Sequence, residues 1–248
     1  MPSEVDASGA SGACDVANAV APLAVVTGAS SGIGEALARQ LLDQGWRVIG
    51  LQRGAPAIEH LAFRAVSVDL SDGEAVTRAA AALPTPQALV HAAGVMRGGR
   101  LGELPPEQAA QMWRLHVDAA TRLADALLPR MAAQGMGRVV LVGSRTAHGQ
   151  PGKAAYAASK AALVSLARSW AAEVVAQGVT VNVVSPAATD TPMLSDPARA
   201  GTAPKLPPMG RLIRPEEVAA LIAFLLGDGA AAITGQEIQV CGGASLPH

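Results

Sequence analysis

The sequence predicts an α/β fold: a doubly wound parallel sheet of about seven strands with helices on both faces, built as a single domain. Three observations carry that prediction. Short β-branched runs alternate with longer Ala/Leu-rich stretches of helical period from Leu23 to Val240, and repeated strand–helix–strand order gives parallel strands joined by crossover helices. The runs are apolar almost throughout rather than at every second position, as strands covered on both faces are. Hydrophobic residues make up 50% of the 248 positions, enough to fill the core that such a sheet encloses.

Residues 1–21 are dominated by Ser, Gly, Ala, Asp and Asn without a sustained period; they read as a disordered N-terminal extension or an overextended start. The folded unit is then 22–248. Its strands are expected at LAVVT (23–27), WRVIGL (46–51), RAVSV (64–68), QALVH (87–91), RVVLVG (138–143), VTVNVV (179–184) and QEIQV (236–240). Helices are expected between them at 33–44, 72–82, 106–133, 154–177 and 215–226, and 192–210 is a long loop. No internal repeat and no Pro/Gly linker divides the unit. The apolar stretch Val218–Leu226 falls short of the ~20 residues that a membrane helix needs. The first residues, with Glu4, Asp6 and Asp15, lack the basic and apolar regions of a signal peptide.

Composition excludes several function classes. Nineteen Lys plus Arg against twenty Asp plus Glu give a net charge of −1, so no general field holds nucleic acid or an anionic membrane. Aromatic residues are 2% of the chain, too few for a base-stacking platform. Cys14 and Cys241 stand at opposite ends and the five histidines are scattered, which leaves neither a disulfide framework nor a metal-ligand pair. A reducing, cytoplasmic setting is the expectation.

Directly after the first strand stands TGASSGIG, Thr27 to Gly34, with Ser30, Ser31 and Ile33 among the glycines Gly28, Gly32 and Gly34. Glycine admits positive φ and lets the backbone approach a ligand with no Cβ in the way. The N–H groups and dipole at the start of the following helix then attract a pyrophosphate. Strand, glycine turn and helix in that order are the context that this mechanism needs.

Further on, YAASK places Tyr156 and Lys160 four residues apart on one helical face, with Ser144 at a strand end twelve residues earlier. A free tyrosine has a pKa of about 10, and a neighbouring cation stabilises the phenolate and brings it toward the working range. The Ser144 hydroxyl can hold a carbonyl oxygen beside the phenol. Tyr156 is the only tyrosine in the chain.

The spacing GxxxGxG, with Thr before it and Ile33 inside it, together with Ser144 and YAASK in this order, resembles the short-chain dehydrogenase/reductase family over about residues 23–245. The resemblance implies a Rossmann-like sheet and a nicotinamide cofactor. It continues at VDLSD (68–72), where Asp69, followed by Leu70, would contact the adenine amine. HAAGV (91–95), with Ala92 and Gly94, would lie under the cofactor. In VNVVSPAATDTPM (181–193), Pro186 would shape the turn and Thr191 would meet the nicotinamide carboxamide. Tyr156 and Lys160 would also contact the cofactor, Lys160 through the nicotinamide ribose.

Three departures from the family pattern stand out. His91-Ala92 replaces Asn-Asn, Pro186-Ala187 replaces Pro-Gly, and His116 stands where the family generally carries an asparagine that holds a relay water. His116 is either a relay, by binding a water or shuttling the proton itself, or an interior histidine bonded to a backbone carbonyl.

The second strand ends Leu51-Gln52-Arg53, and Gln52 aligns with the acid that binds adenosine ribose hydroxyls in NAD-preferring relatives. With no carboxylate to repel a 2′-phosphate and Arg53 suited to bind one, NADP(H) is expected to be preferred, with NAD(H) as the alternative. The reaction implied is hydride transfer between the nicotinamide and a ketone or secondary alcohol of modest size. Residues 193–210 would form a lid, apolar at Met193, Leu194, Ala198 and Leu206. Arg97, Arg145, His148 and Lys153 either rim the pocket for an anionic or polar substrate group or are solvated. The family commonly forms tetramers, so a homo-oligomer, tetramer or dimer, is expected through the helices at 106–133 and 154–177 and the C-terminal strand. A non-catalytic NADP-binding sensor or scaffold of the same fold is the competing reading, and the presence of Ser144, Tyr156 and Lys160 argues against it.

Overall fold

The computed structural model describes residues 21–55, 57–196 and 205–246. Seven parallel strands form one sheet in the order β3-β2-β1-β4-β5-β6-β7. They are β1 (Leu23–Thr27), β2 (Arg47–Gln52), β3 (Phe63–Ser67), β4 (Ala88–His91), β5 (Gly137–Val142), β6 (Val179–Pro186) and β7 (Glu237–Val240). The helices are α1 (Gly32–Asp43), α2 (Gly73–Ala82), α3 (Pro106–Trp113), α4 (Ala119–Ala133), α5 (Ala154–Val174) and α6 (Pro215–Leu226).

Alternate residues of the five inner strands enter opposite cores, as the period of two requires. Val25, Leu89, Leu141 and Val183 pack with Leu123, Leu127 and Met131 of α4 and Leu163 of α5. Val26, Val90, Val140 and Val184 pack with Leu37 and Leu41 of α1 and Ile222 and Leu225 of α6. The near-continuous apolar runs are thereby explained: both faces are covered.

Local chemistry sets the helix ends. The Asp72 carboxylate accepts from the N–H groups of Glu74 and Ala75 at 3.0 and 3.1 Å and caps α2. Pro215 opens α6, and Glu217 accepts from the Arg214 N–H at 2.8 Å.

The expected helix over 106–133 is interrupted. Between α3 and α4 lies a π-helical turn, Arg114–Asp118. Its extra residue brings Leu115 to a cavity wall while His116 and Val117 are buried beside it. The helix expected over 154–177 keeps its α form to Val174 and finishes as a 3-10 turn, Val175–Gln177.

The strand order reverses direction between β1 and β4, so the loops leaving their carboxyl ends part and open a crevice. All strands are parallel, and every loop after a strand reaches that same edge. No helix among the described residues is long and apolar enough to cross a membrane.

Candidate active site

The turn after β1 has the backbone that its glycines were expected to allow. Gly28 and Gly32 lie at φ +70° and +57°, in the left-handed region. A Cβ on Gly28 would come within 2.9 Å of the Ala93 Cα, and one on Gly34 would strike the Gly28 carbonyl oxygen. Gly28, Ser30, Ser31, Gly32 and Ile33 line a crevice cavity of about 560 Å³. Thr27 and Gly34 stand behind that wall. The Thr27 hydroxyl accepts from the N–H groups of Ala92 and Ala93, both at 3.0 Å, and meets His91 Nδ1 at 3.0 Å. Thr27 therefore fixes the loop after β4, where Ala92 and Gly94 line the same cavity.

Gln52, Arg53 and Leu70 occupy the wall at the end of β2 and beyond β3. Gln52 is buried; its Nε2 donates to the Gly54 carbonyl at 3.0 Å, and its Oε1 has no partner among the described residues. A buried acceptor left in this way awaits a donor, as a ribose hydroxyl would supply. Asp69 lies off the wall. Its carboxylate accepts from the hydroxyl and N–H of Ser71 at 2.7 and 2.9 Å, and those bonds, with Arg53 nearby, hold its pKa below the usual value. A backbone N–H cradle that glycine opens, a buried unpaired amide oxygen and an arginine together fit a dinucleotide.

Ser144, Tyr156 and Lys160 share the cavity with Pro186 and Thr191. Ser144 follows β5, and its Oγ lies 2.8 Å from Thr146 Oγ1 while accepting from the Thr146 N–H at 3.2 Å. Tyr156 and Lys160 start a buried stripe of α5 that continues through Leu163, Ala167 and Ala171. Lys160 Nζ donates to the Val142 carbonyl at 2.8 Å and stands 5.9 Å from the centre of the Tyr156 ring. Burial pushes the Lys160 ammonium down to about 7.

His116 is fully buried and does not line the cavity. Its Nε2 accepts from the Val95 N–H at 3.0 Å, and its Nδ1 meets Ser159 Oγ at 2.9 Å. Its ring stands edge-on to that of Tyr156, 84° apart in plane with centroids separated by 5.6 Å. Burial first, then the charges of Lys160 and His91, depress its pKa well below the ordinary value. His91 is also buried, and burial lowers it to about 3.

The substrate side differs from the expectation in detail. Arg145, Lys153, Met193 and Leu194 line the cavity. Arg97 instead pairs with Asp196 at 2.8 Å, and His148 lies apart, 3.2 Å from Gln239 and 3.8 Å from Glu237. Leu206 is exposed and off the wall, and Ala198 lies outside the described residues. Met96, Gln150, Asp196 and Lys205 complete this end. No local motif marks them, because they converge only when the loops after β4, β5 and β6 meet. No group of three or more His, Cys, Asp or Glu side chains that could hold a metal occurs among the described residues.

Comparison with known proteins agrees with this geometry. A family model described as enoyl-(acyl carrier protein) reductase matches residues 28–245. The chain is 36% identical over 235 residues to 3-oxoacyl-[acyl-carrier-protein] reductase of Escherichia coli K12, covering 89% of this chain and 96% of that one. Among solved structures, a short chain dehydrogenase/reductase family protein is similar at a TM-score of 0.83 with 36% identity, over 90% of this chain and 96% of that one. An actinorhodin polyketide ketoreductase variant solved with NADPH superposes at 0.82 with 28% identity, over 92% of this chain and 98% of that one. The chain belongs to the short-chain dehydrogenase/reductase family and is an oxidoreductase acting on carbonyl and alcohol groups.

Proposed function

We propose that this chain is an NADP(H)-dependent reductase that interconverts a ketone of modest size and its secondary alcohol, with Tyr156 as general acid and base. The observation that carries the reading is that the glycine turn and the trio Ser144, Tyr156 and Lys160 line one continuous cavity. Gly28, Ser30, Ser31, Gly32 and Ile33 would hold the pyrophosphate, and Arg53 the 2′-phosphate. Asp69 and Leu70 would flank the adenine, Ala92 and Gly94 would lie beneath the cofactor, and Pro186 and Thr191 would border the nicotinamide. The similarity to a ketoreductase solved with NADPH supports the choice of cofactor.

Bound NADPH supplies the hydride that ends on the carbonyl carbon. Tyr156 gives its phenolic proton to the carbonyl oxygen as the C=O bond becomes single, so no free alkoxide accumulates. The Ser144 hydroxyl donates to the same oxygen and holds it beside the phenol. The Lys160 ammonium favours the phenolate that Tyr156 becomes, and in the oxidation direction that phenolate takes the proton back. Positioned acid catalysis of this kind supplies ~10²–10⁴-fold.

Apolar Met96, Met193 and Leu194 beside Arg145, Lys153 and Lys205 suit a substrate with an apolar body and an anionic or polar end. A 3-oxoacyl thioester is the first compound to test, given the similarity to 3-oxoacyl-[acyl-carrier-protein] reductase. The sensor reading finds no support, since no member of the proton-transfer trio is missing. A cytoplasmic homo-oligomer, dimer or tetramer, completes the reading, and light scattering tests the assembly.

The decisive experiment is Tyr156→Phe, followed by NADPH fluorescence and by absorbance during turnover. NADPH affinity is expected to stay within about twofold while kcat falls by ~10³-fold. Turnover that survives the change would remove Tyr156 from its role.

A further inference from the structure

We infer that His116 is a positioning residue, a neutral brace between the loop after β4 and the first turn of α5, and that it carries no proton during turnover. The inference rests on the proposed reaction and adds to it a residue that acts through Tyr156.

Counting donors and acceptors fixes the brace. The Val95 N–H can only donate, so the His116 Nε2 that faces it at 3.0 Å must offer its lone pair. Ser159 Oγ spends its proton on the Tyr156 carbonyl at 2.8 Å. Toward His116 Nδ1, 2.9 Å away, that oxygen therefore accepts. The proton of the imidazole sits on Nδ1, and the donors run in one direction from Nδ1–H to Ser159 O–H to the Tyr156 carbonyl. Both ring nitrogens are committed. No lone pair remains to take a proton from Lys160 or to receive a hydrogen bond from a water.

Protonating Nε2 would break the bond to Val95 and turn two N–H donors toward each other in a site of zero exposure. Of the titratable groups facing the ring, Lys160 from α5 and His91 from the end of β4 oppose a further positive charge, and Tyr156 from α5 meets the imidazole ring to ring, with centroids 5.6 Å apart. There is little space for a relay water beside Nε2: a Cβ placed on Gly94 would come within 3.2 Å of Nε2 and 3.6 Å of Lys160 Nζ.

What the ring touches explains its use. Val95 lines the cavity and packs with Met96, Met112 and Tyr156 in one small cluster. The other end of the brace holds the backbone carbonyl of Tyr156 itself, and the imidazole stands against the phenol ring. One side chain thus ties the wall facing the phenol to the backbone that carries it. The π-helical turn supplies the site, because it turns His116 inward beside Leu115 and Val117.

The test separates bracing from relay. In ¹⁵N-labelled protein, His116 is expected to show protonated Nδ1 and bare Nε2, unchanged from pH 5.5 to 9; a titration between pH 6 and 8 would overturn the inference. This readout stands whether or not a substrate has been found, so it does not share the fate of the proposed reaction. In kinetics, Ser159→Ala cuts the brace and leaves the imidazole able to carry a proton. Ser159→Ala and His116→Ala are expected to lower kcat alike, by ~10- to 100-fold, with NADPH affinity within about twofold and no rescue by added imidazole. Wild-type kcat in Ser159→Ala, or imidazole rescue of His116→Ala, would mean a relay. Should His116→Ala fail to fold, the Ser159→Ala rate and the ¹⁵N spectrum still decide.

Discussion

Arg53 and Gln52 are neighbours in sequence and differ in surroundings: the arginine is exposed, whereas the amide is buried with one oxygen unpaired. The amide can accept from a ribose hydroxyl with either coenzyme, but only the guanidinium answers a phosphate. A hydrogen bond to a charged group contributes about 1.5–3 kcal/mol. Arg53→Ala is therefore expected to lower kcat/KM for NADPH by ~10- to 100-fold while moving the NADH value less than about threefold. Equal losses with both coenzymes, measured side by side, would remove Arg53 from that role. Arg53 was legible in the sequence because it follows a strand whose end can be counted from the glycine turn. The free oxygen of Gln52 was not, since it depends on the Gly54 carbonyl taking the amide hydrogen.

Among the elements, the loop after β4 and the short 3-10 turn Pro192–Ser195 are tied by Arg97 and Asp196, whose side chains are 16% and 32% exposed. Arg97 also donates to the Met96 carbonyl at 3.0 Å, which fixes it on its own loop. Such a partly shielded pair keeps Met193 and Leu194 against the cavity, at a strength near the upper end of the ~0.2–1 kcal/mol of exposed pairs. Arg97→Ala is expected to raise the substrate KM by ~3- to 5-fold with kcat nearly unchanged, and to speed hydrogen exchange at residues 192–196. Unaltered exchange there would show that the pair holds nothing closed. Ninety-nine positions separate the two partners, so the sequence offered only a loop arginine. The π-helical turn was equally hidden, because its residues keep the composition of the helices on either side.

For the whole molecule, the buried imidazoles make stability depend on pH with a definite sign. His91 has a pKa of about 3 in the folded protein against an ordinary 6.5, so between those values the unfolded chain binds more protons. Stability from this group is fully present above pH 6.5 and is lost as pH falls toward 3. His116, shifted in the same direction, adds to the slope. Urea midpoints of the cofactor-free protein are expected to decline below pH 6.5, and less steeply in His91→Asn. An identical slope in that variant would assign the acid sensitivity to other groups. The histidines themselves were visible as departures from the family pattern; that both are interior, and close to Lys160, emerges only when β4 and the π-helical turn pack against α5. The architecture was far more legible, because the inner strands keep an apolar character on both faces and the crossovers keep a helical period.

Because the strands are all parallel, the chain divides its labour by position along the sheet. The turns leaving β1 and β2 line the end of the cavity proposed for the adenosine and pyrophosphate, while those leaving β4, β5 and β6 line the rest, where the proposed nicotinamide and substrate positions meet. A redesign for another substrate would therefore change only the outer positions of those turns, such as Met96, Gln150, Met193 and Leu194, and keep Ala92, Gly94, Ser144, Pro186 and Thr191 in place, along with the tether of residue 95 to the imidazole.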